Sequence, residues 1–369
     1  MNNEIEKKEN PSFFTPELFA QEQFKRLESP RGKLLIASCC SGSYLAKRVV
    51  KAYNNLLKDA GSKDQVLFLG NIDKHFSDQE TCVRLDYHVG GYDVYLFQAL
   101  YDPTSNLTID QNYIAFLIAA RTLREHGAKQ VVGVLPYLAY SRQDKPTKFR
   151  REPTTARLMA DLSIEAGIDR LIAWEPHSSQ IRGFYGKVPT NMLESLSLFV
   201  DEFKKFEKRE DVIAVAPDVG ASKYVTHFSK ALNINSAISA KERPAPENVV
   251  IKEIIGDFRG KSIAIVLDDM ISNGGTIEAL LRKLKEETEI KDVYLGVSHN
   301  LCVGPALKRL KIMHNRYNLK KVIVTNSIPQ TDEFKSLPFV KVHCLSEPLV
   351  RTINRIHYDR SVSEVFYRE

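Results

Sequence analysis

Short apolar runs recur along the chain, and helix-like segments separate many of them. The runs lie at 34–38, 66–70, 94–100, 130–138, 171–175, 212–217, 263–267, 293–298, 322–325 and 340–345. Strands that alternate with helices predict parallel sheets covered by helices. Ten or so strands fit two sheets better than one, and we therefore expect an α/β protein with two sheets.

Residues 261–285 place an apolar run, two aspartates, a Gly-Gly loop and an amphipathic segment in immediate succession. Ile263 to Leu267 is typical of a strand that is buried on both faces of a parallel sheet. Open α/β sheets bind ligands beyond the carboxyl ends of their strands, so Asp268 and Asp269 fall where a substrate would lie. Because carboxylates accept hydrogen bonds from vicinal hydroxyls, the pair indicates a sugar site.

Apolar residues at i, i+3, i+4 and i+7 predict a helix that begins at about Thr276, directly after Gly274 and Gly275. A helix N-terminus offers free backbone N–H groups and a partial positive charge, and glycines let the chain wrap an anion closely. A phosphate monoester is the natural occupant, and the alternative is an ordinary strand–turn–helix with a Thr cap. No Lys follows Gly275, which excludes an ATP-cradling P-loop.

The segment resembles the phosphoribosyl pyrophosphate loop shared by phosphoribosyltransferases and ribose-phosphate pyrophosphokinases. From about Leu34 to Phe366 the chain is similar to a ribose-phosphate pyrophosphokinase, through stretches whose order and spacing also fit. These stretches are HFSDQE at 75–80, PYLAYSRQDK at 136–145, EPHSSQIRGFYGKVPT at 175–190, APDVGASK at 216–223, KER at 241–243, VIVTNSIP at 322–329 and RIHYDRSVSEVF at 355–366.

The resemblance implies two phosphoribosyltransferase-like domains, each a mainly parallel sheet flanked by helices. We place a polar extension at 1–33, the first domain at 34–193, and a second domain with the ribose-phosphate loop at 194–352. Residues 353–369 are expected to return to the first domain. The extension is expected to be a poorly ordered tail, and docking on a neighbouring subunit is the alternative.

The resemblance also implies the activity, which transfers the pyrophosphoryl group of Mg-ATP to the 1-hydroxyl of ribose 5-phosphate. Phosphoryl transfer needs cations against the developing negative charge, and Lys241 and Arg243 match the catalytic basic pair of the family. Pro244 and Pro246 follow them, so we expect the pair to open a mobile loop. The ribose-5-phosphate positions are Asp268, Asp269, Ser272, Asn273, Gly274, Gly275 and Thr276.

The only cofactor that the resemblance implies is Mg²⁺, which the residues equivalent to His177 and Asp218 contact directly or through water. A hard cation makes Asp218 the more natural ligand, and a hydrogen-bonded structural role is the alternative for His177. The family usually has Asp-Leu-His-Ala where this chain has the sequence from Glu175 to Ser178, which bears on the metal geometry.

The positions that match ATP-binding residues fall in two stretches. They are Arg142, Gln143 and Asp144, and Phe76, Asp78 and Glu80, of which the second set matches residues that receive adenine across a subunit interface. The active enzyme is therefore expected to be a homo-oligomer, a hexamer by family resemblance. The phosphate-effector stretch of the family, Ser-Val-Arg-Gly, reads His88 to Gly91 here, which predicts weak or absent activation by phosphate and altered inhibition by ADP.

Composition narrows the class further. The 369-residue chain is 43% hydrophobic with no run near 18 apolar residues, which favours a globular protein without a membrane span. The N-terminus lacks the apolar core of a secretory signal, so we expect cytoplasmic residence. A net charge of +6 from mixed charges does not favour nucleic-acid binding, and five scattered cysteines are expected to be reduced core residues.

Two other functions stay open on the sequence. Asn273, which stands where the family has Thr, together with the altered segment at His177 and the changed effector stretch, would suit a catalytically weak or silent regulatory paralogue. A phosphoribosyltransferase would share the loop but would not need Lys241, Arg243, His177 or Arg142. Retention of Lys241 and Arg243 favours the pyrophosphokinase over the silent paralogue.

Overall fold

The computed structural model describes residues 27–245 and 248–363, with side chains left undescribed at 241–245 and 248–250. The strands are β1 Glu28–Ser29, β2 Gly32–Ser38, β3 Leu67–Leu69, β4 Asp73–His75, β5 Thr81–Val83, β6 Tyr92–Phe97, β7 Gln130–Leu135, β8 Arg170–Trp174, β9 Thr190–Leu193, β10 Val212–Ala216, β11 Asn235–Ala245, β12 Asn248–Ile255, β13 Ile263–Ile271, β14 Asp292–Asn300, β15 Leu319–Thr325 and β16 Val340–His343. The helices are α1 Ser43–Asp59, α2 Ile109–Glu125, α3 Thr155–Glu165, α4 Leu196–Phe203, α5 Ser222–Leu232, α6 Gly275–Glu287, α7 Ala306–Arg316, α8 Asp332–Lys335 and α9 Ser346–His357.

The first sheet has the order β1-β2-β6-β7-β8-β9, and β3 also pairs with β2. All of its strand pairs are parallel except β1 with β2. Its central strands are apolar on both faces because helices cover both: α2 and α3 pack on one side, and α1 and α9 on the other.

The second sheet has the order β12-β11-β10-β13-β14-β15-β16 and is parallel except where β12 pairs with β11. Helices α6, α7 and α8 cover one face, and α4 and α5 cover the other. Two mainly parallel sheets, each flanked by helices, confirm the expected fold class.

Each apolar run that predicted a strand overlaps one in the structure. The strands that the sequence did not predict are short, polar or antiparallel: β1, β4, β5, β9, β11 and β12. The expected loop at Lys241 and Arg243 is wrong, since the backbone there continues β11. Beyond Ile238, β11 leaves β10 and pairs with β12 alone, and an antiparallel arm of this kind tolerates a proline that a central strand would not. Pro246 and the side chains of the basic pair lie outside the described residues.

The last described helix, α9, begins at Ser346 and packs against α1 on the first sheet. Its Asn354 donates to the Tyr53 hydroxyl at 2.9 Å. His357 is fully buried and places Nδ1 2.8 Å from Asp93 Oδ2 and Nε2 2.9 Å from the carbonyl oxygen of Leu27. These bonds join both ends of the described chain to the first sheet.

Two expectations from composition meet different outcomes. All five cysteines are free, but Cys39 alone is buried, so the expected core placement is wrong for the other four. In the part of the chain that the structure describes, every helix is too short or too polar to cross a membrane.

Candidate active site

Acidic residues of the second sheet lie at the carboxyl end of β13. This strand continues to Ile271 instead of ending at Leu267, so Asp268 and Asp269 lie within the strand, near its carboxyl end. Asp268 pairs in register with Val297 of β14. Both aspartates are half-buried, and the Asp268 carboxylate accepts the backbone N–H of Asp269 at 3.0 Å.

A histidine from the first sheet meets this acidic pair. His177 follows β8, and its Nδ1 lies 2.6 Å from Asp269 Oδ2. The hydrogen bond and the charge of Asp269 raise the pKa of His177, although burial opposes the rise. Burial disfavours ionisation of Asp269, but the bond and charge of His177 outweigh it and lower the pKa of that carboxyl. The site therefore lies where the two sheets meet.

The carboxyl of Asp268 has a strongly raised pKa, first because the surrounding atoms shield it from water and then because Asp269 and Asp218 are negative neighbours. Such crowding of acids is what a bound cation would relieve. Asp218 follows β10, and its Oδ1 accepts the Ala221 N–H at 3.1 Å. Among the described residues no three acidic, His or Cys side chains are already arranged around one ion. The Asp218 carboxylate is an oxygen donor of the kind that Mg²⁺ prefers, and that ion usually keeps several waters in its shell.

The Gly-Gly loop joins this acidic edge to α6, which begins at Gly275, one residue before the predicted start. Gly274 has φ +78°, the left-handed conformation that favours glycine. Asn273 Oδ1 accepts the Gly275 N–H at 3.0 Å, and Arg309 of α7 donates to the Asn273 carbonyl at 3.0 Å. Arg309 also pairs with Glu278 at 3.1 Å, so the loop is tied to two helices.

Ser272 and Thr276 lie beside these residues and are half-buried. The structure therefore brings the proposed sugar clamp and the proposed phosphate loop together on consecutive residues. The side chain of Asn273 already accepts one N–H group at the start of α6, so a bound phosphate would share that N–H or displace the side chain.

The expected ATP-binding residues of the first sheet lie in the loop between β7 and α3. Arg142 is exposed, and its positive charge opposes protonation of His177, which places it beside the site. Gln143 accepts a hydrogen bond from Thr155 at 2.6 Å, whereas Asp144 is buried and accepts from Gln180 at 2.6 Å.

The other expected ATP-binding residues lie at the tip of the β4–β5 hairpin, a separate two-stranded sheet. Phe76 is 56% exposed, so its ring lies outside the core. Its N–H donates to the Glu80 carbonyl at 2.9 Å, and Asp78 accepts the Glu80 N–H at 3.1 Å. The tip thus presents an aromatic ring and two acids to the outside.

His88 and Val89, the first two residues of the altered stretch, line a cavity of about 310 Å³. Its lining residues are Val83, Arg84, Leu85, Tyr87, His88, Val89, Thr122 and His126. Arg84 brings a guanidinium group to this cavity.

Sequence reasoning missed two residues that support the site. Glu175 has a backbone φ of +38°, and burial, with smaller contributions from Glu194 and Asp269, raises its pKa to about 8. His299 of β14 is fully buried and contacts the Glu175 carbonyl. The unusual sequence from Glu175 to Ser178 was a signal for the first, but nothing in the apolar run of β14 marks the second.

Known families match both halves of the chain. A model described as the N-terminal domain of ribose phosphate pyrophosphokinase matches residues 34–167, and one described as the phosphoribosyl synthetase-associated domain matches residues 201–367. The fold thus defines an α/β protein with two phosphoribosyltransferase-like domains.

Similar proteins match this chain over most of its length. A ribose-phosphate pyrophosphokinase of Clostridium acetobutylicum is 34% identical over 80% of this chain and 88% of its own. One of Marinomonas sp. is 30% identical over 90% and 99%. The crystal structure of phosphoribosylpyrophosphate synthetase from Mycobacterium smegmatis, 29% identical, covers 88% of this chain and 99% of its own with a TM-score of 0.76. The chain belongs to the ribose-phosphate pyrophosphokinase family and is an enzyme of that class.

Proposed function

We propose that the enzyme transfers the pyrophosphoryl group of ATP to the 1-hydroxyl of ribose 5-phosphate, giving phosphoribosyl pyrophosphate and AMP. The contact between His177 and Asp269 carries the proposal, because it sets the first-sheet loops for ATP against the sugar clamp of the second sheet. In the reaction the 1-hydroxyl loses its proton, its oxygen bonds to the β-phosphorus, and the bond from that phosphorus to the oxygen of the leaving AMP breaks.

The second sheet would hold the acceptor. Asp268 and Asp269 accept hydrogen bonds from the ribose hydroxyls, and the N–H groups at the start of α6 bind the 5-phosphate together with Ser272 and Thr276. Asn273 keeps its amide N–H₂ group for the same anion, since only its oxygen is bonded to Gly275.

The donor side would be built by the first sheet and the β11–β12 arm. Arg142 neutralises charge on ATP, and Lys241 and Arg243 stabilise the charge that develops on the transferred group. Mg²⁺, when held by Asp218 and His177, would supply further neutralisation of the polyphosphate.

The remaining expectations follow from the same proposal. Phe76, Asp78 and Glu80 would receive adenine from a neighbouring subunit, which requires a homo-oligomer. The exposure of Phe76 supports this role, since its ring is free to stack on a base. We also propose that the enzyme acts in the cytoplasm, in nucleotide biosynthesis.

Incubation of the purified protein with ATP, Mg²⁺ and ribose 5-phosphate tests the proposal, and AMP and phosphoribosyl pyrophosphate should form in equal amounts. A silent paralogue has one observation in its favour, the capture of the Gly275 N–H by Asn273. Absence of AMP at every phosphate concentration would favour that paralogue. Consumption of phosphoribosyl pyrophosphate with a free base would favour a phosphoribosyltransferase instead.

Activation by inorganic phosphate should be weak or absent, because the effector stretch at His88 to Gly91 lacks the family's arginine. Initial rates measured from zero to saturating phosphate check this, with sulfate at equal ionic strength as the control. A strong dependence on phosphate would contradict the prediction and would point to Arg84 as the substitute.

A further inference from the structure

The turn after β8 is strained at Glu175. Its φ of +38° lies in the left-handed region, which L-residues other than glycine rarely adopt. Pro176 follows, and a proline restricts the backbone of the residue before it to extended conformations. Two separate steric effects thus oppose the observed turn, and such residues persist only when the surrounding structure holds them.

Three hydrogen bonds hold this residue in place. The Glu175 N–H donates to the Leu193 carbonyl at 2.7 Å, and an oxygen of its carboxyl group accepts the Ser195 N–H at 2.6 Å. The third comes from the opposite sheet, where His299 Nε2 lies 2.9 Å from the Glu175 carbonyl oxygen. This last bond joins residues 124 positions apart and links β8 to β14.

The surroundings of His299 select one form of its ring. A carbonyl oxygen only accepts, so Nε2 must carry the hydrogen, and Nδ1 can then accept from the Ser327 hydroxyl at 2.8 Å. Burial lowers the pKa of His299, which agrees with a neutral ring. The edge of the ring also meets Tyr137 at a centroid distance of 5.1 Å.

The position of His177 depends on this turn. Only Pro176 separates Glu175 from His177, so a change in the Glu175 backbone would move the imidazole away from Asp269. We propose that His299 is a positioning residue: by holding the Glu175 carbonyl from the second sheet, it keeps the strained turn in the conformation that sets His177 against Asp269. The inference rests on the proposed function in one respect, the participation of His177 in the reaction.

Substitution at His299 separates positioning from simple structural support. In His299→Gln the side-chain amide N–H₂ takes the place of Nε2–H, whereas His299→Leu has no donor. Thr325→Val is the matched control, because it removes two other buried bonds of the same region and leaves His299 and Glu175 themselves unchanged. These bonds run from the Thr325 hydroxyl to the Ser298 carbonyl at 2.7 Å and from the Ser327 N–H to the Thr325 hydroxyl at 3.1 Å. The measurements are kcat, the affinity for Mn²⁺ by electron paramagnetic resonance, and the melting temperature.

His299→Leu should lower kcat and Mn²⁺ affinity by about 10- to 100-fold, the usual cost of losing an outer-shell partner. His299→Gln should restore most of both, and Thr325→Val should lower only the melting temperature. If the leucine variant does not fold, His299→Asn replaces it, since the shorter amide cannot reach the Glu175 carbonyl, and the same losses are expected.

Equal losses in the Gln and Leu variants, or a loss no larger than that of Thr325→Val, would overturn the proposal. His177→Ala distinguishes this failure from a failure of the proposed function. If His177→Ala removes activity and Mn²⁺ binding while His299→Leu does not, the positioning role alone is wrong. If His177→Ala changes neither quantity, the role of His177 in the proposed function fails, and the inference fails with it.

Discussion

At the scale of single residues, the site shows how environment separates two identical side chains. Asp268 and Asp269 are sequence neighbours, yet their pKa values move in opposite directions. Asp269 has His177 as a partner, whereas Asp268 has burial and two negative neighbours. The chemistry of the pair is therefore set by residues brought from other strands, and it cannot be read from the Asp-Asp dipeptide alone.

Lys241→Ala should reduce turnover while ATP binding stays largely intact, because the cation is proposed to act on charge that develops in the transition state. The expected loss is about 3 to 4 kcal/mol of transition-state stabilisation, if Lys241 acts like other charge-stabilising donors. Steady-state kinetics with ATP as the varied substrate measure it. Lys252→Ala, an exposed lysine on the partner strand β12, is the control, and equal turnover in both variants would remove Lys241 from the mechanism.

Asp211, just before β10, gives a prediction about acid stability. Hydrogen bonds from Arg209, at 2.7 and 2.9 Å, and from Ser262, at 2.7 Å, lower its pKa from 3.8 to about 2. A lowered carboxyl pKa adds stability that is complete above pH 3.8 and is lost as the pH falls towards 2.

Asp211→Asn should therefore destabilise the protein at pH 7 and lose less stability than the wild type between pH 4 and 2. Urea unfolding across this range is the measurement, with Asp201→Asn, an exposed residue of α4, as the control. Because the side chain is 37% exposed, solvent will screen part of the effect. The same pH dependence in the wild type and Asp211→Asn would contradict the prediction.

At the scale of elements, the N-terminus of α6 is capped by the Asn273 side chain and is also the proposed anion site. Its geometry depends on Gly274 at φ +78°, where a side chain would cost about 1 to 2 kcal/mol of backbone strain. Gly61 has nearly the same φ, +79°, but it follows α1, a helix that packs on the first sheet. The two glycines thus form a matched pair.

Gly274→Ala should raise the KM for ribose 5-phosphate, because relief of the strain would turn the N–H groups away from the 5-phosphate. Gly61→Ala should carry a similar loss of stability with an unchanged KM. Kinetics with ribose 5-phosphate varied, together with melting temperatures, test both statements. An equal KM in the two variants would mean that the phosphate does not bind at this loop.

Elements with strong periodicity could be predicted from the sequence, and the others could not. The i, i+3, i+4, i+7 pattern located the start of α6 to within one residue, and the apolar runs located the central strands. The arm of β11 and β12 was not predicted, because its prolines and charges are typical of a loop, although an antiparallel arm tolerates them.

The same limit applies to the candidate site. Local motifs marked Asp268, Asp269 and the Gly-Gly loop, and the family resemblance marked His177. The contact of His299 with Glu175 could not be predicted, because it depends on how two separate sheets pack. A single side chain in an apolar strand carries no local signal of its partner.

At the scale of the whole molecule, the exposed tip of the β4–β5 hairpin predicts an assembly. Light scattering should give a multiple of the chain mass, and a mass of one chain would contradict the proposal for adenine.

Phe76→Ala should raise the KM for ATP by the equivalent of about 1 to 3 kcal/mol, the usual range for stacking of a base on an aromatic ring. The KM for ribose 5-phosphate should stay the same. Leu158→Ala, which removes an apolar side chain that is 52% exposed on α3, is the control, and an equal change in both variants would exclude stacking on Phe76.

The docking of α9 on the first sheet has a consequence for biosynthesis. Domains generally fold in order as the ribosome makes them, the N-terminal one first. Here the helix at 346–357 covers part of one apolar face of the earlier sheet, and it is translated only after every strand of the later sheet. While residues 194–345 are made, about two-fifths of the chain, the nascent protein therefore exposes part of that apolar face, and a chaperone that shields it would raise the yield of native enzyme.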